Sequence, residues 1–303
     1  MGNKKNILQY INPPVRYSLF AIHFILFGNI YVALGAVCLI QSTCIQLQLS
    51  DGLTAYSSLV FFATLFIYNF QRFLYKPQQD VSLNSIRRKW IFENQTSVKL
   101  LTFIGCIGVS ISFFLNDLKI VFYLSPLLLL SLAYFFPLTK LRKSPLFKLF
   151  TLVIVWTMVT AVVPVLSGSA ELFTKNNLLY IFIRFCFMMA ICIPFDIRDL
   201  QIDSADNVST LPHIIGEKNA KWLAFGFMLI YMILIILEYS WGILSIQLFI
   251  ALMISALINS GLVLMSNSKR GEYFYVALID GTMILQGGID DRGGKVFLEN
   301  RKY

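Results

Sequence analysis

Nine stretches of mostly apolar residues follow one another along this 303-residue chain, each long enough, or nearly so, to cross a lipid bilayer. They lie near residues 17–40, 53–70, 98–115, 120–137, 149–166, 178–195, 222–238, 242–265 and 273–289. The second and ninth are the weakest, because each is short or interrupted by polar residues. Helices of about 20 residues span the hydrocarbon core and satisfy their own backbone there. The pattern predicts an all-α fold: a polytopic integral membrane bundle of about nine transmembrane helices.

Lysine and arginine residues are distributed very unevenly between the two sides of this predicted bundle. With the N-terminus inside, eighteen of them fall on the cytoplasmic side near the spans, and the opposite loops hold only Lys119 and Lys175. Such a bias sets orientation in membrane proteins. We therefore expect a cytoplasmic N-terminus and an external C-terminus, in a plasma (inner) membrane.

The same charge distribution bears on partners and on domain organisation. The formal net charge of +9 would suggest nucleic acid on a soluble protein, but here basic residues beside spans meet anionic lipids instead. We expect the lipid bilayer as a partner and no nucleic acid. Because the loops are short and no linker divides the chain, residues 1–303 are predicted to form a single transmembrane domain, with loops 69–97 and 196–219 cytoplasmic.

The loop after the sixth predicted span concentrates acidic residues. Asp196, Asp199 and Asp203 are spaced so that a helix continuing from the span would place them on one face. Clustered carboxylates at a membrane surface suit a hard cation such as Mg²⁺, which often shares its ligands with substrate phosphates. A solvated acidic loop explains the spacing equally well, so the pattern alone leaves both interpretations open.

Residues 195–216 resemble the second aspartate-rich motif of the UbiA superfamily of intramembrane prenyltransferases, where Asp-x-x-x-Asp precedes a turn, Thr-Leu-Pro and a glycine. The matching positions are Asp199, Asp203, Thr210, Leu211, Pro212 and Gly216. The family architecture is similar too, with nine helices and both motif loops cytoplasmic after the second and sixth spans.

Two other segments resemble the family less closely. The first motif, normally Asn-Asp-x-x-Asp-x-x-x-Asp, keeps Asn69, while Phe70, Phe73 and Pro77 stand at the aspartate positions. The segment 136–140 is similar to the family's Tyr-Pro-x-x-Lys and keeps its lysine, Lys140.

The resemblance implies transfer of an isoprenyl group from an isoprenyl diphosphate to a hydrophobic, often aromatic, acceptor with Mg²⁺ as cofactor. It makes Asp199 and Asp203 the candidate catalytic residues and, together with Asp196, the candidate metal ligands. The candidate substrate-binding residues are polar or basic groups beside the two loops: Asn69, Arg72, Lys76, Lys140 and Arg198. Arg72 and Lys76 share a helical face with Asn69, so cations could replace the missing first-motif acids; ordinary positive-inside residues are the alternative.

The degenerate first motif leaves three functions open. The chain is a prenyltransferase with fewer metal ligands, a catalytically inactive isoprenoid-binding protein, or a membrane transporter. A transporter would favour charged residues through the depth of the bundle, and the predicted spans hold few, chiefly Arg184 and Asp280. Asp280 is a candidate for lining a cavity or for pairing with Arg184, because a carboxylate stranded in lipid is costly.

Overall fold

The structure, a computed structural model, describes residues 13–49, 54–74, 85–135, 145–168, 171–205 and 208–288. These residues form helices and connecting turns, and no strand occurs among them, which confirms the predicted all-α fold. In the first half the helices are α1 (Pro13–Phe27), α2 (Ile30–Gln46), α3 (Thr54–Leu74), α4 (Ile86–Glu93), α5 (Gln95–Leu115) and α6 (Leu118–Phe135).

The second half contains the longest helices. They are α7 (Pro145–Thr157), which continues through a π-helical turn (Met158–Val162) into α8 (Val163–Ser167), then α9 (Lys175–Arg198), α10 (Leu200–Ala205), α11 (Leu211–Ile215), α12 (Glu217–Ser240) and α13 (Ile246–Met265). The last helical segment, α14, covers 272–288 and contains a second π-helical stretch, Phe274–Ile279.

Each predicted apolar run overlaps one or more of these helical segments, but the count of nine spans is not confirmed. Five described helices are long and apolar enough to cross a membrane. They are Gln95–Leu115, Leu146–Ser167, Lys175–Arg198, Glu217–Ser240 and Ile246–Met265. The pair Tyr17–Phe27 and Ile30–Gln46 would make a sixth if its 52° bend lies within one span.

That bend positions a polar side chain for the site described below. Asn29 adopts a left-handed backbone conformation with φ of 63°, which asparagine tolerates better than most residues. At Gly28 a Cβ would lie 2.1 Å from the carbonyl oxygen of Phe24, so any larger residue would force the backbone to shift. The break turns the Asn29 side chain away from the helix it begins and towards α3.

Helix α9 is the centre of the bundle. It packs against α7, α12 and α13 and buries residues on all of its faces between Ile183 and Ile197. Beside it, α3 and α5 approach closely: a Cβ on Gly105 would lie 2.8 Å from the backbone nitrogen of Phe66. These packing contacts hold α3 and α9, the two helices whose C-terminal ends carry candidate site residues.

Candidate functional site

The acidic loop retains a helical path after α9 ends. The backbone nitrogen of Asp203 donates to the carbonyl of Asp199 at 2.7 Å, and the nitrogen of Val208 donates to the carbonyl of Asp203 at 2.8 Å. Asp196 and Asp203 consequently lie on one side, where both contact Lys148 of α7. The Lys148 Nζ atom lies 2.9 Å from Asp196 Oδ1 and 2.7 Å from Asp203 Oδ2. Two carboxylates therefore converge on one cationic point.

The burial of this pair explains why a cation is needed there. Asp196 and Asp203 are only 5% and 3% exposed, and two carboxylates removed from water would repel each other unless neutralised. Asp196 Oδ2 is also buried without a hydrogen-bond partner among the described residues. The second oxygen of Asp196 is thus available to a further ligand.

Asp199 has different partners. Both of its oxygens accept from Arg198, Oδ1 from Nε and Oδ2 from Nη2, each at 2.8 Å, and Arg87 Nη2 lies 4.0 Å from Oδ1. Burial alone would raise the pKa of Asp199, but Arg198, Arg87 and Lys148 outweigh it and hold that pKa well below its usual range. Asp199 is therefore ionised at neutral pH.

Arg87 and Glu272 extend the cluster to α4 and α14. Glu272 Oε2 lies 3.5 Å from Arg87 Nε and 3.9 Å from Arg198 Nη1, and Glu272 Oε1 accepts from Ser85 Oγ at 2.5 Å. Ser85 also caps α4 by accepting from the backbone nitrogen of Arg88. Burial and the neighbouring Arg198 lower the pKa of Arg87, whereas Glu272 and Asp199 oppose that shift. These contacts connect α4 and α14 to the acidic loop.

The position of the degenerate first motif carries amides and a guanidinium. Asn69 is fully buried; its Nδ2 donates to the carbonyls of Gly28 at 2.9 Å and Leu65 at 2.8 Å. Arg72 Nη1 donates to Asn69 Oδ1 at 3.2 Å, and Arg72 Nη2 donates to Asn29 Oδ1 at 3.1 Å. Within the described parts of the chain no carboxylate pairs with Arg72, so this half of the site presents a fixed positive charge.

Arg87 lies near both halves: its charge repels that of Arg72 and attracts that of Asp199. The structure thus brings together most of the predicted site residues: Asp196, Asp199, Asp203, Arg198, Asn69 and Arg72. Lys76 and Lys140 lie outside the described residues. In the described ranges no group of three or more His, Cys, Asp or Glu side chains gathers to hold a metal ion, so the metal role of the three aspartates stays a prediction.

Four residues of the site were not predicted from the sequence: Lys148, Arg87, Glu272 and Asn29. Each joins the site through contacts between helices far apart in the chain, for which local spacing gives no sign. In the sequence, Lys148 and Arg87 indicate only the uneven charge distribution that sets membrane orientation. A helix-breaking Gly28-Asn29 pair inside the first apolar run was the one available hint.

The Thr-Leu-Pro segment has a structural role in the fold. Thr210 and His213 form a reciprocal cap at the start of α11, with the Thr210 nitrogen donating to His213 Nδ1 at 3.1 Å. His213 Nε2 also lies 2.7 Å from Ser204 Oγ at the end of the acidic loop. These bonds connect the end of the acidic loop, next to Asp203, to the start of α11.

The suggested ion pair between Arg184 and Asp280 is wrong. Arg184, which is 2% exposed, donates to neutral oxygens instead, including the Leu39 carbonyl at 3.2 Å and Ser42 Oγ at 3.1 Å. Enough acceptors surround the guanidinium in the core that it needs no carboxylate. Asp280 is left on α14 without that partner.

Comparison with known proteins finds a similar fold but no matching sequence family. No protein-family model and no curated protein matches the sequence. Solved structures do match: a UbiA homologue from Aeropyrum pernix K1 has a TM-score of 0.59 at 16% identity over 90% of this chain and 97% of its own. A UbiA homologue from Archaeoglobus fulgidus, bound to GPP and Mg²⁺, has a TM-score of 0.58 at 11% identity over 90% and 99%.

A digeranylgeranylglyceryl phosphate synthase structure is similar as well, with a TM-score of 0.54 at 14% identity over 90% of this chain and 98% of that one. Because these likenesses span nearly whole chains at low identity, they establish architecture and not chemistry. The chain therefore has a UbiA-like fold, as the resemblance of its acidic loop implied.

Proposed function

We propose that the protein is a UbiA-like integral membrane prenyltransferase, transferring an isoprenyl group from an isoprenyl diphosphate to a hydrophobic acceptor. One observation carries the proposal: on a UbiA-like fold, the carboxylate Asp199 at the end of α9 and the cation Arg72 on α3 both lie near Arg87. A site with both charges suits a polyanion and its counter-ion. A homologue of this fold is described as bound to GPP and Mg²⁺, which supports the same ligand class here.

The acidic half suits one Mg²⁺ ion. Asp196 and Asp203 direct oxygens at a single point, and the second oxygen of Asp196 has no partner there among the described residues. Carboxylate oxygens are the ligands that Mg²⁺ prefers, and it commonly binds through one or two of them plus substrate phosphates. Asp196 and Asp203 would hold the ion in competition with Lys148, and Asp199 would lie beside it. Bound Mg²⁺ would neutralise the departing diphosphate.

The cationic half acts on the diphosphate directly. The Arg72 guanidinium, oriented by Asn69 and Asn29, would donate charge-assisted hydrogen bonds to phosphate oxygens as negative charge develops on the leaving group. Lys76, Lys140 and Arg198 are proposed as further basic contacts. These side chains would bind and orient the donor, while the isoprenyl chain extends into the apolar bundle.

The membrane setting is part of the proposal. Several described helices are long and apolar enough to cross a bilayer. The acidic loop, Arg72, Arg87 and Glu272 together form what we call the charged layer. We propose that this layer faces the cytoplasm of a plasma (inner) membrane, in accordance with the positive-inside distribution. Water-soluble donor head groups would then reach the site from the cytoplasm, and the lipid-like acceptor would enter from the bilayer.

The test is Mg²⁺-dependent turnover of a defined donor. The full chain in lipid nanodiscs is incubated with geranyl or dimethylallyl diphosphate, Mg²⁺ and a panel of phenols, naphthols and long-chain alcohols, and diphosphate release is measured. Asp199→Asn combined with Asp203→Asn should abolish Mg²⁺-dependent donor binding, by more than about 100-fold, because both second-motif carboxylates are lost. Glu93→Gln, which changes an exposed acid outside the site, is the control.

A binding function without turnover is the second candidate. It is favoured by the first-motif position, which holds amides and a guanidinium, and by Lys148, which neutralises two of the three acids. Native mass spectrometry would then detect a retained isoprenoid, and no donor in the panel would release diphosphate. Catalysis is contradicted if donors bind with Mg²⁺ yet none is consumed.

A further inference from the structure

The geometry points to Asp280 as the residue that binds the hydroxyl group of the acceptor and takes its proton. This inference rests on the proposed function and adds to it the side chain that contacts the acceptor. Asp280 belongs neither to the acidic loop nor to the first-motif position, and it lies on a separate helix, α14.

The first support is burial without a partner. Asp280 is 7% exposed, and its side chain forms no hydrogen bond or ion pair with the described residues. A carboxylate held within a membrane bundle without donors is costly, so such groups mark ligand sites more often than structural ones. Arg184, the buried guanidinium suggested as its partner, is satisfied by neutral oxygens.

The second support is the local backbone. The stretch Phe274–Ile279 is π-helical, and the Asp280 nitrogen donates to the Tyr275 carbonyl at 3.1 Å. A π-turn holds one extra residue and changes the direction of the side chains that follow, and such turns are frequent at functional sites. Gly281 follows at once, where a Cβ would lie 2.7 Å from Tyr31 Oη. The glycine allows Tyr31 to donate to the Ala277 carbonyl at 3.2 Å.

The third support is depth. Tyr275 lies one helical turn before Asp280, and the Arg198 Cζ atom is 5.7 Å from the centre of its ring. Asp280 is therefore about one turn deeper than the charged layer proposed to bind the diphosphate. The reacting carbon of an isoprenyl donor lies just below its diphosphate, so the attacking group of the acceptor would meet it near this depth.

The groups that face Asp280 come from three elements. Arg198 and Cys192 of α9, Arg87 of α4 and Tyr31 of α2 all interact with it electrostatically. A carboxylate in this field accepts a hydrogen bond from a neutral hydroxyl more readily than an amide would.

The step is balanced without any further reactant. The bond between the isoprenyl carbon and the diphosphate oxygen breaks, and its electron pair leaves with the diphosphate. A new bond forms from that carbon to the acceptor, either at the hydroxyl oxygen or at an activated ring carbon. The proton released by the acceptor passes to the Asp280 carboxylate, and water later removes it.

Binding of a matched pair of probes tests the inference separately from turnover. The full chain in nanodiscs, loaded with the unreactive geranyl thiolodiphosphate, is titrated with 2-naphthol or with naphthalene, which lacks the hydroxyl. Asp280→Asn should weaken 2-naphthol binding about tenfold and leave naphthalene binding unchanged, since a hydrogen bond to a charged acceptor is lost. Asp280→Glu should retain much of the affinity and shows that a carboxylate suffices.

Glu238→Gln is the matched control. Glu238 is also a buried carboxylate, 3% exposed and with an unpartnered Oε2, but it lies at the far end of α12 from the charged layer. Its replacement should change neither affinity. Unchanged 2-naphthol binding in Asp280→Asn overturns the inference, as does an equal loss of naphthalene binding or an equal effect of Glu238→Gln. Absence of diphosphate release with every acceptor would instead count against the proposed function.

Discussion

The two halves of the charged layer are built from opposite side chains on the same fold. Asp196, Asp199 and Asp203 end the central helix and are each neutralised by a basic residue from another segment or a neighbouring position. The other half contains Asn69 and Arg72 from the degenerate first motif, where Phe70, Phe73 and Pro77 stand at the aspartate positions, and no described carboxylate pairs with Arg72. The acidic half suits a cation and the cationic half suits an anion.

This difference teaches that the helical frame selects the kind of side chain as well as its place. Asn69 is fixed by the carbonyls of Gly28 and Leu65, and Arg72 by two amide oxygens. All four of these oxygens accept hydrogen bonds, so they suit the donors present and would not hold a carboxylate in either place. A diphosphate bound between the halves would contact protein cations on one side and a shared metal ion on the other.

The largest effect is all-or-none and concerns the side of the membrane on which each half lies. Reporters inserted after Glu93 and within the 206–207 loop should both be cytoplasmic, because both halves must meet the same diphosphate. A reporter after Gly168 should be external. Opposite locations for the first two insertions would show that the two halves cannot bind the same diphosphate.

The second largest effect is expected on removal of the Arg72 guanidinium. Arg72→Ala should weaken isoprenyl diphosphate binding about 10- to 100-fold, since charge-assisted hydrogen bonds contribute about 1.5–3 kcal/mol. Wild-type binding should also keep a component that resists EDTA, and Arg72→Ala should remove it. Isothermal titration calorimetry with and without chelator measures both.

Lys89→Ala is the control for that experiment. Lys89 is a basic residue of the same predicted loop, but it is more than half exposed, and its one ion pair among the described residues is with Glu93. If Arg72 merely sets topology, the two variants will bind the donor equally well and all binding will disappear on chelation.

Much of this frame could be predicted from the sequence, and the limit is physical. The helical segments follow from apolar length, and the acidic loop follows from short-range spacing that helix continuation preserves. The partners of those acids do not. Lys148 meets Asp203 only because α7 and α9 pack together, and Arg87 meets Glu272 only because α4 lies beside α14. Spacing within one helix holds no information about contacts of this kind.

A moderate effect is expected at Lys148. Its ammonium lies between Asp196 and Asp203, where a metal ion would compete for the same oxygens. Lys148→Met keeps the length of the side chain and removes its charge, so Mg²⁺ affinity should rise about three- to tenfold. Weaker Mg²⁺ binding in the variant would mean that the lysine supports the metal site. Lys218→Met, which changes an exposed lysine, serves as the comparison.

The smallest effect concerns stability and its dependence on pH. The pKa of Asp199 is held low in the folded protein by Arg198, Arg87 and Lys148 against burial, whereas an unfolded aspartate titrates near about 3.9. A group with a depressed folded pKa stabilises the fold above its unfolded pKa and loses that contribution only as pH falls through the folded value. Asp199→Asn should therefore lower Tm by about 2–4 °C, by the same amount from pH 8 to pH 5. Thermal unfolding in nanodiscs measures this difference, and a difference that shrinks steadily over that range would show that Asp199 titrates there, and that its basic partners do not hold it ionised.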